Sequence, residues 1–311
     1  MTQPLPDPAE PPLEVFVPFW GDPGLLYATV DSVKAQTDPR WTMTVVDDCY
    51  PDPGVAEHFA AETDPRIRYV RHETNLGITD NYRACQAMAS GELMMFLGCD
   101  DLMHPDFVAT VTRAAREHPQ ADVVQVGVEV VDGDGQVVLP LGDRVKRALM
   151  PKVDAPLELS GEELAVSLLR GNWLYWPSLV FRTAAVQRRE FRDDLPIIQD
   201  LALLVDMAAA GDTLLVVPDT VFAYRRHMGS ASATSLLHGR RLGDERTYYD
   251  AAADQMRARG WSRAERVART RWTSRLHALT LVPSALRDRS VPALRSLARH
   301  ALSPSRPSTT R

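Results

Sequence analysis

The run Leu93-Met94-Met95-Phe96-Leu97, followed at once by Gly98-Cys99-Asp100-Asp101, limits the folds open to this chain. Five apolar residues in a row suit a buried strand and are too few to cross a membrane. Two carboxylates at its exit stand where open α/β sheets hold ligands, outside the carboxyl ends of the strands. Taken alone, the pair reads equally well as a helix cap at Asp100 and a solvated Asp101. Upstream, however, Met43-Thr44-Val45-Val46 leads the same way into Asp47-Asp48. One acidic strand end is ordinary, whereas two that face one crevice are better explained by a shared ligand.

Around these runs the chain alternates. Residues 1–12 carry prolines at 4, 6, 8, 11 and 12 and read as an extended, disordered lead-in. Leu13 to Val17 is a strand ended by Pro18, and Phe19-Trp20-Gly21-Asp22-Pro23-Gly24 is a loop of breakers. Helical spacing from Leu25 to Gln36, the strand at 43–46, a helix over 55–63, a strand at 67–71 and a helix over 80–89 follow. The pattern predicts a mostly parallel, Rossmann-like α/β sheet flanked by helices. Farther on, it predicts a helix over 105–118, a strand over 121–131 and a hairpin turn at 132–135. A polar loop over 140–160 comes next, then a helix over 164–169 and a strand over 178–181. A helix from about 199 to 210 precedes two strands at 214–217 and 221–227. From Leu242 to about His300 two or three helices are expected, broken near Gly260 and Pro283.

With 311 residues and 45% hydrophobic content, the chain can bury one large domain and carry an appendage. Its three cysteines, Cys49, Cys85 and Cys99, have no metal-ligand spacing and suit a reducing compartment. No run nears the ~18 apolar residues of a membrane span, and the N-terminus lacks a signal-peptide pattern, so a cytoplasmic protein is the expectation. The net charge of −6 conceals an asymmetry: Arg240 onward holds 16 Arg against 6 Asp and Glu, leaving 19 Lys and Arg against 35 acids in residues 1–239. The basic residues are not interleaved with stacking aromatics, so no nucleic-acid partner is expected.

Several stretches, in order, resemble the family 2 nucleotide-sugar glycosyltransferases, which have the GT-A fold and invert the anomeric carbon. They are Val17-Pro18, Ser32-Val33 with Gln36-Thr37, Val46-Asp47-Asp48, Asn75-Leu76-Gly77-Ile78, Ser90-Gly91-Glu92, Leu97 with Asp100-Asp101 and Pro105, Asp200 at a helix start, and Tyr224-Arg225-Arg226-His227 with Ser230 and Ser232. The resemblance implies a glycosyltransferase domain over 13–235, an Arg-rich helical extension over 236–303 and a disordered tail over 304–311.

It also implies a site. Asp47 and Asp48 match the nucleotide-binding acids, against turn capping into Pro51-Asp52 as the plain alternative. Pro18, Phe19, Trp20, Gly77 and Cys99 fall on the donor side, Cys99 as a packing thiol. Asp100 matches the metal-binding acid of the family's Asp-x-Asp signature, with Asp101 beside it and His227 as a further candidate metal ligand; the cofactor implied is Mg²⁺ or Mn²⁺. Asp200 matches the catalytic base, against a helix-start acid as the alternative. Trp173 and Trp176 are acceptor-side candidates, or core. Three departures stand out: Gly98 replaces the signature's first acid, Gln199 precedes Asp200 where the family writes Glu, and Tyr82 occupies a place often held by Arg, for which Arg83, one step or about 100° around the helix, is the donor-binding substitute.

The implied function is metal-dependent, inverting transfer of a hexose from a UDP- or dTDP-sugar to a hydroxyl of a glycan, a lipid-linked acceptor or a small natural product. The alternative, motivated by Gly98, is a degenerate, non-catalytic sugar-nucleotide binder. For the C-terminal helices three readings stand open: a cap on the fold, a homodimer interface, or a peripheral contact with the inner face of an anionic membrane.

Overall fold

The computed structural model describes residues 13–195, 198–226, 240–287 and 291–302. Four strands run parallel: β3 (Ile67–Arg71), β2 (Trp41–Asp47), β1 (Leu13–Phe19) and β4 (Leu93–Phe96), in that spatial order. Phe19 pairs with Asp47 and Phe16 with Phe96, so the exits at Trp20, Asp48 and Leu97 lie on one edge. The crossovers are α1 (Pro23–Lys34), α2 (Gly54–Ala60) and α3 (Ile78–Met88). Asp22 starts α1 by accepting from the Gly24 and Leu25 N–H groups.

The apolar run at 93–97 has a simple cause. Successive side chains point to opposite faces, so Met94 and Phe96 enter one core while Leu93, Met95 and Leu97 enter the other. A strand covered on both sides has no place for the polar half of an alternating pattern.

Beyond β4 the sheet becomes mixed. After β5 (Leu102–Met103) and α4 (Phe107–Glu117), β6 (Val123–Val131) leaves a gap that β8 (Leu179–Arg182) later fills, antiparallel to both β4 and β6. Strand β9 (Leu214–Arg225) runs parallel to β6, and β5 and β7 (Leu157–Leu159) pair antiparallel with β9. The two strands expected at 214–217 and 221–227 are thus one bent strand. Its exposed middle, Pro218-Asp219-Thr220, slips register against Gly127, where a Cβ would lie 2.7 Å from Thr220 Oγ1 and 3.0 Å from the Asp219 carbonyl. The 140–160 stretch is not a loop throughout: it holds α5 (Leu141–Leu149) and β7. Helix α5 buries only Asp143 and is held by tertiary bonds, among them Lys146 Nζ to the Leu174 carbonyl at 2.8 Å.

Helices α6 (Gly161–Arg170), α7 (Thr183–Gln187) and α8 (Gln199–Ala210) cover one face of the sheet, opposite α1, α2 and α4. Helix α8 is buried at nine of its twelve residues and stops at Gly211, whose φ of +95° suits glycine. The C-terminal helices divide into two groups. Tyr248, Tyr249, Ala252, Ala253 and Met256 of α9 (Arg240–Ala258), with Ala264 and Ala268 of α10 (Ser262–Thr270), join the same core as α6 and α8. Helices α11 (Trp272–Thr280), α12 (Val282–Arg287) and α13 (Val291–Leu302) pack about a small cluster of Ala278 and Leu297. Among the described residues no helix is long and apolar enough to cross a membrane.

Candidate active site

The exit of β2 is braced by its own acids. Asp47 is fully buried: Oδ1 accepts the Tyr50 N–H at 2.7 Å, and Oδ2 accepts from Arg71 Nη1 at 2.8 Å and from the Tyr69 hydroxyl. Burial and the bond to this carboxylate push the Tyr69 phenol up to about 12. Asp48 accepts the Leu76 and Gly77 N–H groups at 2.7 and 2.8 Å and donates its own N–H to the Phe19 carbonyl at 3.0 Å. Gly77, at φ +85°, turns the chain there into α3. Cys49 takes the bend with φ +59°, a left-handed conformation that a side chain adopts only under constraint. Asp47 therefore fixes the end of β3, and Asp48 fixes the turn into α3.

From that turn hydrogen bonds lead to the start of α8. Thr79 donates to Gln199 Oε1 at 3.1 Å, and the next residue, Asp200, accepts from Asn172 Nδ2 at 2.9 Å. Asn172 Oδ1 is buried without a partner. Burial first, then the nearby charge of Asp200 and after it Cys85 and Cys99, raise the pKa of the Tyr82 phenol.

At the exit of β4, Asp101 turns inward. Its Oδ1 accepts the Arg225 N–H at 2.8 Å, its carbonyl accepts the Thr29 hydroxyl at 2.8 Å, and its Oδ2 is buried with no hydrogen-bond partner. Burial first, and the Asp100 carboxylate second, raise its pKa well above the usual range. A Cβ on Gly98 would lie 2.4 Å from Asp101 Oδ2 and 3.1 Å from Asp100 Oδ1. The carboxylate of Asp101 fills the space that a side chain at 98 would need.

These features fit a hard divalent cation. Two adjacent carboxylates repel each other, one has an unbonded oxygen, and a cation relieves both conditions. Among the described residues no three His, Cys, Asp or Glu side chains cluster into a metal cage. Such a cation would complete its shell with phosphate oxygens and water, the usual habit of Mg²⁺.

The other candidates are placed as follows. Trp20 is 52% exposed and meets Tyr50 edge-on at 5.5 Å, while buried Phe19 leans on the same Tyr50 at 5.0 Å. Pro18 pairs with Val46 in the strands behind them. Cys99 lies beside Gly21, and burial pushes its thiol up to about 12, so it packs rather than reacts. Arg83 is held by Asp80 and Asp193 at 2.7 and 2.6 Å and by the Phe191 carbonyl, so its guanidinium anchors the 191–193 segment. Trp173 is fully buried, its indole N–H given to Ser167 Oγ at 3.0 Å; Trp176 lies among Phe96, Phe181 and Phe191. Both indoles are core. His227, Ser230 and Ser232 lie outside the described residues, as do the lead-in over 1–12 and the tail over 304–311. Tyr50 and Asn172 escaped the sequence reading. Tyr50 sits two residues past an acid pair, and Asn172 is a lone amide beside the apolar stretch 173–176; both are legible signals in retrospect.

Comparison with known proteins gives a family match and a shared fold. Residues 14–160 match glycosyl transferase family 2. The protein y4gI of Sinorhizobium fredii is 33% identical over 128 residues, 40% of this chain and 14% of its own length. The succinoglycan biosynthesis protein ExoO of Rhizobium meliloti is 27% identical over 223 residues, 71% of this chain and 63% of its own. The chain thus spans less than two thirds of either relative. Among solved structures, residues 1–349 of S. aureus TarS in complex with UDP-GlcNAc superpose with a TM-score of 0.68 at 14% identity, covering 93% of this chain and 79% of that one. The mannosyltransferase PcManGT of Pyrobaculum calidifontis, in complex with GDP-Man and Mn²⁺, gives 0.59 at 18% identity over 95% and 81%. The match to glycosyl transferase family 2 thus covers 147 of the 311 residues, and the likeness to these structures gives the chain their fold, the GT-A fold, with a C-terminal helical extension.

Proposed function

From that family and fold, we propose that the chain is a metal-dependent, inverting glycosyltransferase that moves a hexose from a UDP- or dTDP-sugar to an acceptor hydroxyl. One observation carries the reading above all: Asp101 presents a buried, unbonded carboxylate oxygen beside Asp100 at the carboxyl edge of the sheet. The named relatives support it. TarS is solved with UDP-GlcNAc, PcManGT with GDP-Man and Mn²⁺, and ExoO carries the name of succinoglycan biosynthesis. A glycan or lipid-linked acceptor fits the last of these best.

Asp100 and Asp101 would hold a divalent cation, which would supply positive charge to offset that of the leaving diphosphate. Trp20 and Tyr50 offer the base an aromatic wall next to the turn that Asp48 holds. Asp200 takes the proton of the acceptor hydroxyl as its oxygen bonds the anomeric carbon. The bond from that carbon to the diphosphate oxygen breaks, and its electron pair stays with the diphosphate. Asn172 holds the Asp200 carboxylate in place by its amide bond. Asp200→Asn keeps that bond partner but removes the base, so turnover should fall about 100-fold or more while donor affinity holds. Normal turnover in this variant would remove the assignment. Nucleotide diphosphates and their sugars, screened by thermal shift with and without Mn²⁺, identify the donor. Slow metal-dependent hydrolysis of that donor separates a transferase from a binder that has lost its chemistry.

A further inference from the structure

Helix α11 presents an apolar stripe to solvent. Trp272, Leu276 and Leu279 are each about half exposed, at 52, 49 and 52%. At about 100° per residue they fall within roughly 60° of one another around the helix. Ser274 and Ala278, on the far side, are buried: Ser274 bonds Glu245 of α9 and His300 of α13, and Ala278 packs with Leu297. The stripe therefore points away from the protein by construction, because its helix is pinned through the opposite face. The neighbouring helices add Leu286, Val291 and Leu302, all exposed.

The same region is strongly basic. Residues 266–311 hold ten arginines and a single acid, Asp288. Arg287 on α12 and Arg295 and Arg299 on α13 are exposed. Aromatic and leucine side chains next to arginines are what an interface between water and acyl chains accommodates, the apolar groups entering and the guanidiniums meeting headgroup phosphates. A nucleic acid would satisfy the arginines and leave the leucines in water. In a two-fold dimer each patch faces its own copy, so like charges would meet, and three side chains on a nine-residue helix fall well short of the ~800 Å² per partner of a stable interface.

We propose that α11 docks, through Trp272, Leu276 and Leu279, on the surface of an anionic lipid bilayer, with the arginines of α12 and α13 supplying the attraction. Docking holds whether or not the chain transfers sugar; that it would bring the enzyme to lipid-carried acceptors rests on the transferase reading.

The test is sedimentation of the full chain with vesicles of phosphatidylcholine alone or with about 30% phosphatidylglycerol. Binding is expected to the anionic vesicles only, at least tenfold weaker in about 0.5 M salt. Trp272→Ser/Leu276→Ser/Leu279→Ser and, separately, Arg287→Glu/Arg295→Glu/Arg299→Glu should each lower it at least tenfold. These side chains are exposed, so the melting temperature and the nucleotide-dependent thermal shift should be unchanged, which shows the variants folded. Absence of binding to anionic vesicles, or binding that the serine variant retains, overturns the proposal. So does a dimer that the serine variant dissolves while vesicles bind neither protein, which would assign the stripe to a second copy. Sugar transfer enters none of these readouts, so either reading can fail alone.

Discussion

Gly98 and Asp101 behave as one unit. The glycine leaves a notch, the aspartate fills it, and the Arg225 N–H fixes the aspartate there. In Gly98→Ala a methyl would sit 2.4 Å from Asp101 Oδ2. The carboxylate must swing out or pull away from Arg225. Overpacking of this kind costs about 1–3 kcal/mol, a fall of roughly 2–6 °C in Tm for a chain of this size. The Mn²⁺-dependent part of the thermal shift given by the preferred nucleotide diphosphate should vanish with it. The double variant Gly98→Ala/Asp101→Ala should regain most of the stability and none of the metal response. If Gly98→Ala kept both its Tm and its metal response, the notch would be irrelevant. The sequence showed the departure at Gly98 but not its cause. Which way an acid at a strand exit turns depends on β9, more than a hundred residues away, and no local pattern encodes that contact. Asp47 and Asp48 show the same dependence on distant chain, since Asp48 takes the Leu76 and Gly77 N–H groups and Asp47 the Tyr69 hydroxyl and Arg71.

At the level of elements, local chemistry was readable where one segment decides its own state and failed where a distant segment decides. The run at 93–97 belongs to the first kind. Helix α5 belongs to the second: a polar helix with one buried side chain, it exists because Tyr175 and Arg226 bond Asp143 and because Lys146 reaches Leu174. The bend of β9 likewise answers to Gly127 on another strand. A different junction gives a measurable pH dependence. Glu62, after α2, accepts the Thr63 and Asp64 N–H groups and pairs with Lys34 of α1 at 2.9 Å, and Asp64 in turn pairs with Arg66, which lies over Trp41 of β2. The Asp64 N–H first, and Lys34 next, lower the Glu62 carboxyl from 4.5 to about 2. A carboxyl lowered on folding stabilises the protein above its unfolded pKa, and that contribution is lost as pH falls through the folded one. Glu62→Gln should cost about 1 kcal/mol at pH 7, held to that size because the Lys34 partner is well solvated. The difference from the parent protein should shrink between pH 4.5 and 2. Denaturant unfolding at pH 7 and at about 3 checks it; a gap that widens at the lower pH would contradict the assignment.

For the whole molecule, the division of the C-terminal helices has consequences that a boundary near residue 235 hides. Helix α9 contributes two tyrosines, two alanines and a methionine to the core that α8 also fills, while α10 closes on α6. Their Ala- and Arg-rich sequence looks like solvent-exposed appendage, because small side chains give little periodic signal even when they are the ones that let helices approach. A chain ending at Arg226 would take Tyr248, Tyr249 and Met256 out of that core, and burying each large side chain of this kind is worth about 1.5–3 kcal/mol. With total stabilities of about 5–15 kcal/mol, such a chain should fail to unfold cooperatively or should aggregate. A chain ending at Thr270 removes the small cluster about Ala278 and Leu297, the buried Arg271, and the bonds of Ser274 to Glu245 of α9 and of Thr273 to the Arg170 carbonyl. It should retain one cooperative transition at a lower Tm and keep its nucleotide response, since the helices removed pack chiefly on one another and on α9. Calorimetry of the two truncations compares them directly. Equal melting of the Arg226 truncation and the full chain would mean that α9 is a passenger; loss of folding in the Thr270 truncation would mean that α11 to α13 do more than present a surface. The contrast follows from where the apolar side chains go: inward on α9 and α10, and outward on α11, on one continuous basic stretch of chain.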